Sequence, residues 1–277
     1  MELDDSQPAE RPPLERVLLV LAYDGAAFSG FAQQTNAPSI ASTVDAAIRE
    51  IDPGASRLVG ASRTDGGVHA RLQPAAFGST KRIPSRSWVL ALTSRLPPAI
   101  CVTRAARVET AFDPRKHALW KRYKYRVLRS QIEDPFLAGR AWRVGQPIDV
   151  EAMRLEARTL LGTHDFAAFR SVEDRRVETV RSLSRVDVDV AADDARCVDV
   201  TVEGNKFMHN MVRIIVGTLV DVGLGRTAPG ACQRALTSLR RSDLGMTAPA
   251  RGLCLEHVEL DTWGEDAWPD RAGGAPI

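Results

Sequence analysis

A chain of 277 residues, of which 44% are hydrophobic, can bury one large core or two domains, and this composition excludes a disordered protein. The 37 Lys and Arg nearly balance the 35 Asp and Glu, and the longest apolar runs are too short for a membrane-spanning helix. Residues 1–13 are polar and lack the apolar core of a signal peptide, so we expect a cytoplasmic protein.

The first half of the chain predicts strands that alternate with helices. Residues 17–22 form a continuous apolar run, as in a strand that is buried on both faces. Ser39 can cap a helix whose apolar residues recur at helical spacing until Asp52. The other elements of this half are predicted as strands at 58–59 and before Gly78, a helix at 87–94, and strands at 100–108 and 123–128.

The second half repeats this organisation. Asp149 can cap a helix that ends near Gly162. Valines that alternate with polar residues at 186–190 and 198–202 predict an antiparallel hairpin with one solvated face. The remaining elements are predicted as a helix from about 206 to 222 and a last strand at 253–260.

Together these elements predict an α+β fold in two halves, with helices on one face of antiparallel sheets. The Gly and Pro residues near the end of the chain predict irregular structure there. We expect four segments: a disordered tail at 1–13, an N-terminal α+β half at 14–130, a C-terminal α+β half at 131–260 and a flexible tail at 261–277.

The cysteines and histidines follow none of the common metal-binding spacings. The four cysteines lie far apart without a CxxC pair, and the five histidines show no HExxH pattern. We therefore predict reduced thiols and no metal site.

Positive charge is concentrated between residues 54 and 129. This segment holds sixteen Lys and Arg against three acids, a balance of +13, which leaves 21 basic and 32 acidic residues, or −11, for the rest of the chain. Such asymmetry indicates a face that binds a polyanion, most simply nucleic acid. The alternative, a solvated basic surface, suits a short run of charge better than a segment of this length.

Asp65 is the one carboxylate between Gly54 and Val108, where it stands among nine Lys and Arg. Its neighbours Gly66 and Gly67 allow close backbone approach to a ligand. A single acid in a basic, glycine-containing loop suggests an anionic ligand and a carboxylate that serves chemistry. Asp65 is thus the first candidate for a catalytic residue.

The predicted helix at 206–222 is apolar around most of its circumference, which predicts a largely buried helix. Arg213 lies at the centre of its narrow polar stripe. A buried guanidinium requires a carboxylate or phosphate partner, and Asp65 is one candidate. A solvent-facing Arg213 that pairs with a local acid such as Asp221 is the alternative, and spacing alone does not decide between them. The stripe consists of His209, Asn210, Arg213, Gly217 and Asp221.

Aromatic and basic side chains alternate in the strand at 122–127. Tyr123, Tyr125 and Val127 share one face, and three bases share the other. Nucleic-acid-binding surfaces typically combine aromatic rings, which stack on nucleobases, with basic side chains, which bind phosphates. The alternative is a core strand, which we prefer for Tyr125; for Tyr123 the pattern does not decide.

Four motifs, in the same order and at similar spacing, resemble the bacterial tRNA pseudouridine synthases of the TruA type over residues 17–260. The loop SRTDGGVHA at 62–70 is similar to GRTDAGVHA, and RYKY at 122–125 is similar to RYRY. The segment FMHNMVRIIVG at 207–217 is similar to F-x-HHMVRxIVG, and the dipeptide at 252–253 matches the start of the family's last strand.

The resemblance implies a role for each matching residue. Asp65 would be the nucleophile, paired with Arg213, and Arg63 would assist base flipping. Tyr123 would contact the target uracil, against which Leu253 would lie.

It further implies two ferredoxin-like halves with the active site in the cleft between them, a homodimer, and uridines 38 to 40 of the tRNA anticodon stem-loop as targets. Uridine and pseudouridine are isomers, so their interconversion needs neither a redox partner nor an energy source, and we expect no cofactor. Asp65 could attack either the ribose C1′ or the base.

The sequence departs from the family pattern at four positions. Ser62 stands where Gly is usual, Gly66 replaces Ala, Phe31 replaces Trp and Asn210 replaces the second His of the helix motif. None of these changes touches the matching Asp, Tyr or Arg. We expect them to affect the rigidity of the loop and the range of substrates instead.

Two other functional classes are compatible with parts of the pattern. A catalytically silent RNA-binding module would use only the basic segment and the tyrosines. A phosphate-binding nucleotide enzyme would use glycines beside basic residues, but the loop lacks the P-loop pattern and its lysine.

Overall fold

One sheet of eleven strands runs through the part of the chain that the computed structural model describes, residues 15–34, 37–174 and 177–269. Its strands are β1 (Glu15–Tyr23), β2 (Val59–Gly60), β3 (His69–Ser79), β4 (Ile100–Val108), β5 (Ala118–Arg129), β6 (Trp142–Val144), β7 (Gly162–Asp165), β8 (Val180–Val190), β9 (Cys197–Gly204), β10 (Leu253–Leu260) and β11 (Glu265–Trp268). The α-helices in these residues are α1 (Ile40–Ile51), α2 (Ser85–Thr93), α3 (Val150–Arg158), α4 (Met211–Gly223) and α5 (Ala231–Ser238). The predicted α+β class is confirmed.

The strands are arranged in the order β11-β4-β1-β3-β10-β5-β9-β8-β7, while β2 pairs with β3 and β6 pairs with β5. In the first half β1 lies between β4 and β3 and is antiparallel to both. In the second half β5 lies between β10 and β9 in the same manner, with β8 beyond β9. Each half therefore follows the same course of strand, helix, hairpin, helix and strand.

The two halves share the sheet because β10 pairs in parallel with β3, Cys254 opposite His69 and Leu255 opposite Ala70. The two-residue strand β2 covers only the far end of the same edge of β3, and an uncovered edge tends to pair with another strand. The predicted boundary at residue 130 falls directly after β5, whereas pairing groups β5 with the second half. The alternation of apolar and polar residues along the chain does not show which strands β5 pairs with.

Capping residues set the starts of two helices as predicted. The Ser39 hydroxyl accepts from the Ser42 backbone N–H at the start of α1, and the reciprocal bond completes a capping box. Asp149 accepts from the Ala152 N–H at 3.0 Å at the start of α3. Both caps satisfy backbone donors that a helix leaves free in its first turn.

The helix that was predicted from Lys206 begins only at Met211. Asn210 has φ 62°, in the left-handed region, which a right-handed helix cannot contain. Residues 206–210 therefore form a turn before α4. The prediction that this helix is buried is confirmed, since every residue of α4 except Arg213 is buried.

The described residues 261–269 of the predicted flexible tail include the strand β11 (Glu265–Trp268). Strand β11 pairs with the outer edge of β4, and Trp263 and Trp268 pack against the core. Indole burial makes this segment part of the fold, an effect that its Gly and Pro content hides. The predicted tail at 1–13 and residues 270–277 lie outside the described residues. Within the described ranges, no helix has the length and apolar character that crossing a membrane requires.

Gly217 allows the segment after residue 244 to approach α4. A Cβ built at this position would lie 1.8 Å from the Met246 carbonyl oxygen. Gly to Ala in a helix interior ordinarily stabilises by about 1 kcal/mol, but here we expect Gly217→Ala to lower the free energy of unfolding by about 3 kcal/mol because the backbone must shift. Urea unfolding measures the change.

Gly139→Ala is the matched control, since a Cβ there would have no neighbouring atom within 4 Å. We expect its unfolding free energy to stay within about 0.5 kcal/mol of the wild type. Equal stability of the two variants would contradict the close approach at Gly217.

Candidate active site

A cleft of about 750 Å³ lies between the loop that follows β2 and the turn that precedes α4. The structure brings all the site residues predicted from the sequence to its walls, although they come from four separate segments of the chain. They are Arg63, Asp65, Tyr123, Arg213 and Leu253.

The loop that carries Asp65 is held from outside by residues 28–31. The Phe31 N–H donates to the Thr64 carbonyl at 3.0 Å, and a Cβ at Gly30, whose φ is 110°, would lie 2.7 Å from the same oxygen. Gly67 has φ 79°, a conformation that glycine adopts without a Cβ clash. These glycines let two loops pack backbone to backbone and set the position of Asp65.

Buried polar side chains hold the same loop from beneath. The Gln73 amide accepts from the Ser62 N–H at 3.2 Å and donates to the Ser62 carbonyl at 2.6 Å. The hydroxyls of Tyr23 and Thr64 lie 2.7 Å apart. All three hydrogen bonds are buried, where an unmade bond is costly, so they rigidify the loop.

The two oxygens of the Asp65 carboxylate have different neighbours. Arg213 Nη1 donates to Oδ2 at 3.2 Å, and His209 Nε2 lies 3.5 Å from Oδ1. The Asp65 side chain is 20% exposed. A charge-assisted bond therefore orients Oδ2, while Oδ1 faces the His209 ring.

Arg213 is anchored on three sides. Its Nε donates to the Ala248 carbonyl at 2.8 Å, and Nη1 donates to Asn210 Oδ1 at 2.7 Å as well as to Asp65. Asp221, the alternative partner, instead accepts from the Met246 N–H at 2.9 Å. The structure thus selects Asp65 over the local acid.

Tyr123 is buried at the base of the cleft. Its hydroxyl lies 2.8 Å from Ser62 Oγ, and the Phe207 ring packs edge-on against it at 5.1 Å. Burial raises the pKa of Tyr123 to about 12, so the phenol is neutral at physiological pH. Tyr125 is fully buried and donates to the Pro249 carbonyl at 2.7 Å, which confirms its prediction as a core residue.

Leu253 and Arg63 occupy different environments in the cleft. Leu253 is buried at the first position of β10, opposite Tyr125. The Arg63 side chain is exposed. The cleft therefore has an apolar wall at Leu253 and a solvent-exposed cation, Arg63, on the loop that carries Asp65.

Much of the basic charge on β5 is neutralised by β9. Arg122 pairs with Glu203 at 2.7 Å, and Arg126 pairs with Asp199 at 2.8 Å. Asp199 and Thr201 are each only 9% exposed, so the solvated face predicted for the hairpin is wrong on β9, where the Arg126 side chain of β5 covers Asp199. The predicted polyanion face is correspondingly smaller. The bases that line the cleft besides Arg213 are Arg63, Arg115, Lys121, Arg181 and Lys206.

Sequence reasoning did not select Ser62, Phe207, His209 or Asn210 as site residues, although each lines the cleft. Ser62 was noted only as a departure from a family pattern, and Asn210 was noted as such a departure and, with His209, as part of a polar stripe. One signal was available for Asn210, which belonged to the same predicted polar stripe as Arg213, although the structure places it in the turn before α4. The neighbours of Ser62 are distant in sequence and leave no such signal.

Among the described residues, no group of three or more His, Cys, Asp or Glu side chains is arranged to hold a metal ion. The four cysteines are free thiols. Burial raises the pKa of Cys254 to about 12, which makes this thiol a poor nucleophile.

Ser62→Ala is expected to lower the free energy of unfolding by about 1–2 kcal/mol, because the buried Tyr123 hydroxyl loses its bonding partner. In a Tyr123→Phe background the same change should cost about 1 kcal/mol less, since the bond is already absent. Urea unfolding of the wild type, the two single variants and the double variant gives the coupling energy between the two side chains. Additive losses would show that the 2.8 Å contact contributes nothing.

Comparison with known proteins gives a consistent result. A family model described as tRNA pseudouridine synthase matches residues 157–261. A tRNA pseudouridine synthase A of Myxococcus xanthus is 39% identical over 245 residues, 88% of this chain and 92% of the relative. The protein of the same name from Thermoanaerobacter sp. (strain X514) is 37% identical over 242 residues, 87% of this chain and 98% of the relative.

A third relative, from Syntrophotalea carbinolica, is 39% identical over 242 residues, 87% of this chain and 95% of the relative, and has the same name. Among solved structures, a chain of a Cbf5-Nop10-Gar1 complex matches with a TM-score of 0.40 and 11% identity, covering 92% of this chain and 55% of that one. A structural likeness at this level carries no argument.

Proposed function

Because the chain belongs to the tRNA pseudouridine synthase A family, we propose that it isomerises uridines 38 to 40 of the tRNA anticodon stem-loop, with Asp65 as the nucleophile. The protein is accordingly an isomerase that acts on tRNA. The choice of uridines and the role of Asp65 are the parts that we propose.

The contact between Asp65 and Arg213 carries this proposal. The two residues are 148 positions apart, yet their side chains meet at 3.2 Å in a cleft whose lining also includes the Tyr123 phenol and the apolar Leu253. A carboxylate held by a guanidinium beside a space large enough for a nucleotide is the arrangement that nucleophilic catalysis on a bound base requires.

The reaction breaks the N1–C1′ bond, turns the base and joins C5 to C1′. The C5 proton leaves and N1 gains a proton, so the product is an isomer of the substrate. Asp65 supplies the attacking oxygen, either to C1′ or to the base, and the bond that it forms is broken again before the product leaves, which regenerates the carboxylate. Oδ1 is the better placed because Arg213 engages Oδ2. Arg213 orients the carboxylate throughout the cycle.

Tyr123 and Leu253 position the uracil in this proposal. A phenol whose pKa is raised to about 12 donates a hydrogen bond readily and accepts a proton poorly, which favours an orienting role over that of a base. The buried Leu253 side chain offers an apolar surface to the ring.

Arg63 acts on the RNA helix and not on the reacting atoms. A stacked base is out of reach of a carboxylate in a cleft, so the target uridine must swing out, at a cost of about a few kcal/mol. The exposed guanidinium of Arg63 lies two positions before Asp65 and fills the space that the uridine leaves. The other exposed bases of the cleft wall, Arg115 and Lys206, hold the phosphates.

The chain is further proposed to consist of two ferredoxin-like halves that meet at the cleft and to form a homodimer in the cytoplasm. The same strand order in both halves supports the first point. Ile132 and Phe136, which are 79% and 90% exposed, support a contact with a second copy. Light scattering at micromolar concentration measures the oligomeric state, and a monomer mass would exclude the dimer.

Release of tritium from C5-labelled uridine in anticodon-arm RNA tests the proposed substrate. RNAs with their only labelled uridine at position 38, 39 or 40 are expected to release the label. A matched RNA with the labelled uridine at another stem position is expected to retain it. Release from that control alone would refute the assigned positions, and binding without release from any RNA would favour the silent RNA-binding module.

A further inference from the structure

The turn before α4 places an amide directly on the arginine of the site. Asn210 adopts φ 62° and ψ 2°, the left-handed conformation, which Asn tolerates better than most residues. Within the described part of the chain its side chain makes no capping bond to α4. It points to Arg213 instead, and Oδ1 accepts from Nη1 at 2.7 Å.

That bond shares one nitrogen with the Asp65 contact. Arg213 Nη1 carries two hydrogens, and it donates to Asn210 Oδ1 at 2.7 Å and to Asp65 Oδ2 at 3.2 Å. Because a guanidinium is planar with fixed N–H directions, fixing one N–H fixes the other. The Nε bond to the Ala248 carbonyl, at 2.8 Å, holds the opposite edge of the same plane.

Asn210 is itself held by the backbone around it. The His209 N–H donates to Asp174 Oδ2 at 3.1 Å, and the His209 carbonyl accepts from the Ser171 N–H at 3.0 Å. The Asn210 carbonyl accepts the first helical bond, from Ile214 at 2.9 Å. The amide is therefore presented to Arg213 by an anchored turn and not by a free side chain.

We propose that Asn210 is a positioning residue that aims Arg213 at Asp65, an inference that rests on the proposed function. Its amide oxygen takes one hydrogen of Nη1, so that the second is directed at Oδ2 of the carboxylate. Asn210 does not touch the uridine; it acts through Arg213. The expected consequence of losing it is a slower chemical step with unchanged RNA affinity.

Asn210→Gly and Asn210→Ala both delete the amide, but only glycine adopts the left-handed turn freely, since the Cβ of alanine disfavours it. We expect the same fall in the single-turnover rate constant for both, about 10-fold, which corresponds to one charge-assisted hydrogen bond. The Kd for anticodon-arm RNA should stay within about 2-fold of the wild type.

Asn210→His is the restoring variant, because histidine is also frequent in the left-handed region and its ring nitrogen can accept from Nη1. Its rate constant is expected to lie within about 3-fold of the wild type. Urea unfolding of each variant records the backbone cost separately from the rate.

Different results would overturn the proposal. A slow Asn210→Ala beside a normal Asn210→Gly would show that only the backbone conformation matters, and so would rates that follow stability. Equal losses of rate and affinity would assign Asn210 to RNA binding. Asp65→Asn, measured in the same series, distinguishes failure of the positioning proposal from failure of the proposed function. If Asp65→Asn is inactive while Asn210→Gly is as fast as the wild type, the positioning proposal is wrong and the proposed function stands.

Discussion

Asp65→Asn is expected to reduce the single-turnover rate of tritium release by about 10⁴-fold or more, while the Kd for anticodon-arm RNA changes by less than about 3-fold. The substitution keeps the shape of the side chain and an oxygen that can accept from Arg213 Nη1, which lies 3.2 Å away. It removes the charge that makes the oxygen a nucleophile. Loss of chemistry with retained binding is therefore the signature of this role.

The sequence imposes a control on this experiment. Because Gly66 follows, the side chain of Asp65→Asn can deamidate and regenerate a carboxylate, so Asp65→Ala is assayed beside it on fresh protein. Asp149→Asn is the matched substitution elsewhere, since Asn caps a helix as well as Asp does, and full activity is expected. Wild-type release by both Asp65 variants would show that the nucleophile has been assigned wrongly.

Arg213→Ala should lower the single-turnover rate by about 10³-fold and raise the Kd for RNA by less than about 3-fold. The Arg213 side chain is 19% exposed, and its guanidinium donates to Asp65, Asn210 and the Ala248 carbonyl. Removing it leaves the Asp65 carboxylate without its charge-assisted bond and removes the link to Ala248. Filter binding and quenched-flow release on the same protein separate the two effects.

Lys206→Ala provides the opposite case, because this lysine lines the cleft and is exposed. Loss of one phosphate contact is expected to weaken RNA binding and to reduce the slope of log affinity against log salt by about one. Its rate at saturating RNA should remain within about 2-fold of the wild type.

Equal losses of rate and affinity in Arg213→Ala would make Arg213 a phosphate contact as well. Urea unfolding of Arg213→Ala verifies that the fold is intact.

The elements that the sequence predicted well are those specified by near neighbours. Ser39 and Asp149 cap helices through bonds to residues three positions away, and period-two alternation correctly placed Tyr125 in the core. The α4 prediction failed at its first turn because Asn210 is left-handed and its neighbour His209 is bonded to the distant residues Ser171 and Asp174. Local periodicity carries no record of such bonds.

The site shows the same division. The charge pattern made Asp65 a candidate, and apolar periodicity made Arg213 a buried cation in need of a partner, but spacing left Asp65 and Asp221 open. Likewise, the bases of β5 indicated a polyanion face, whereas Glu203 and Asp199 of the neighbouring strand neutralise two of them. In both cases the missing information was which strands and loops become neighbours.

The sequence by itself determined the α+β class, most of the elements and the kinds of side chain available for chemistry, because propensity, capping and periodicity act over a few residues. Only the tertiary structure decided that β10 joins the two halves, that Arg213 meets Asp65 and that Asn210 holds Arg213. Pairing partners 148 positions apart are selected by packing of the whole sheet and its helices, and no local pattern encodes that choice.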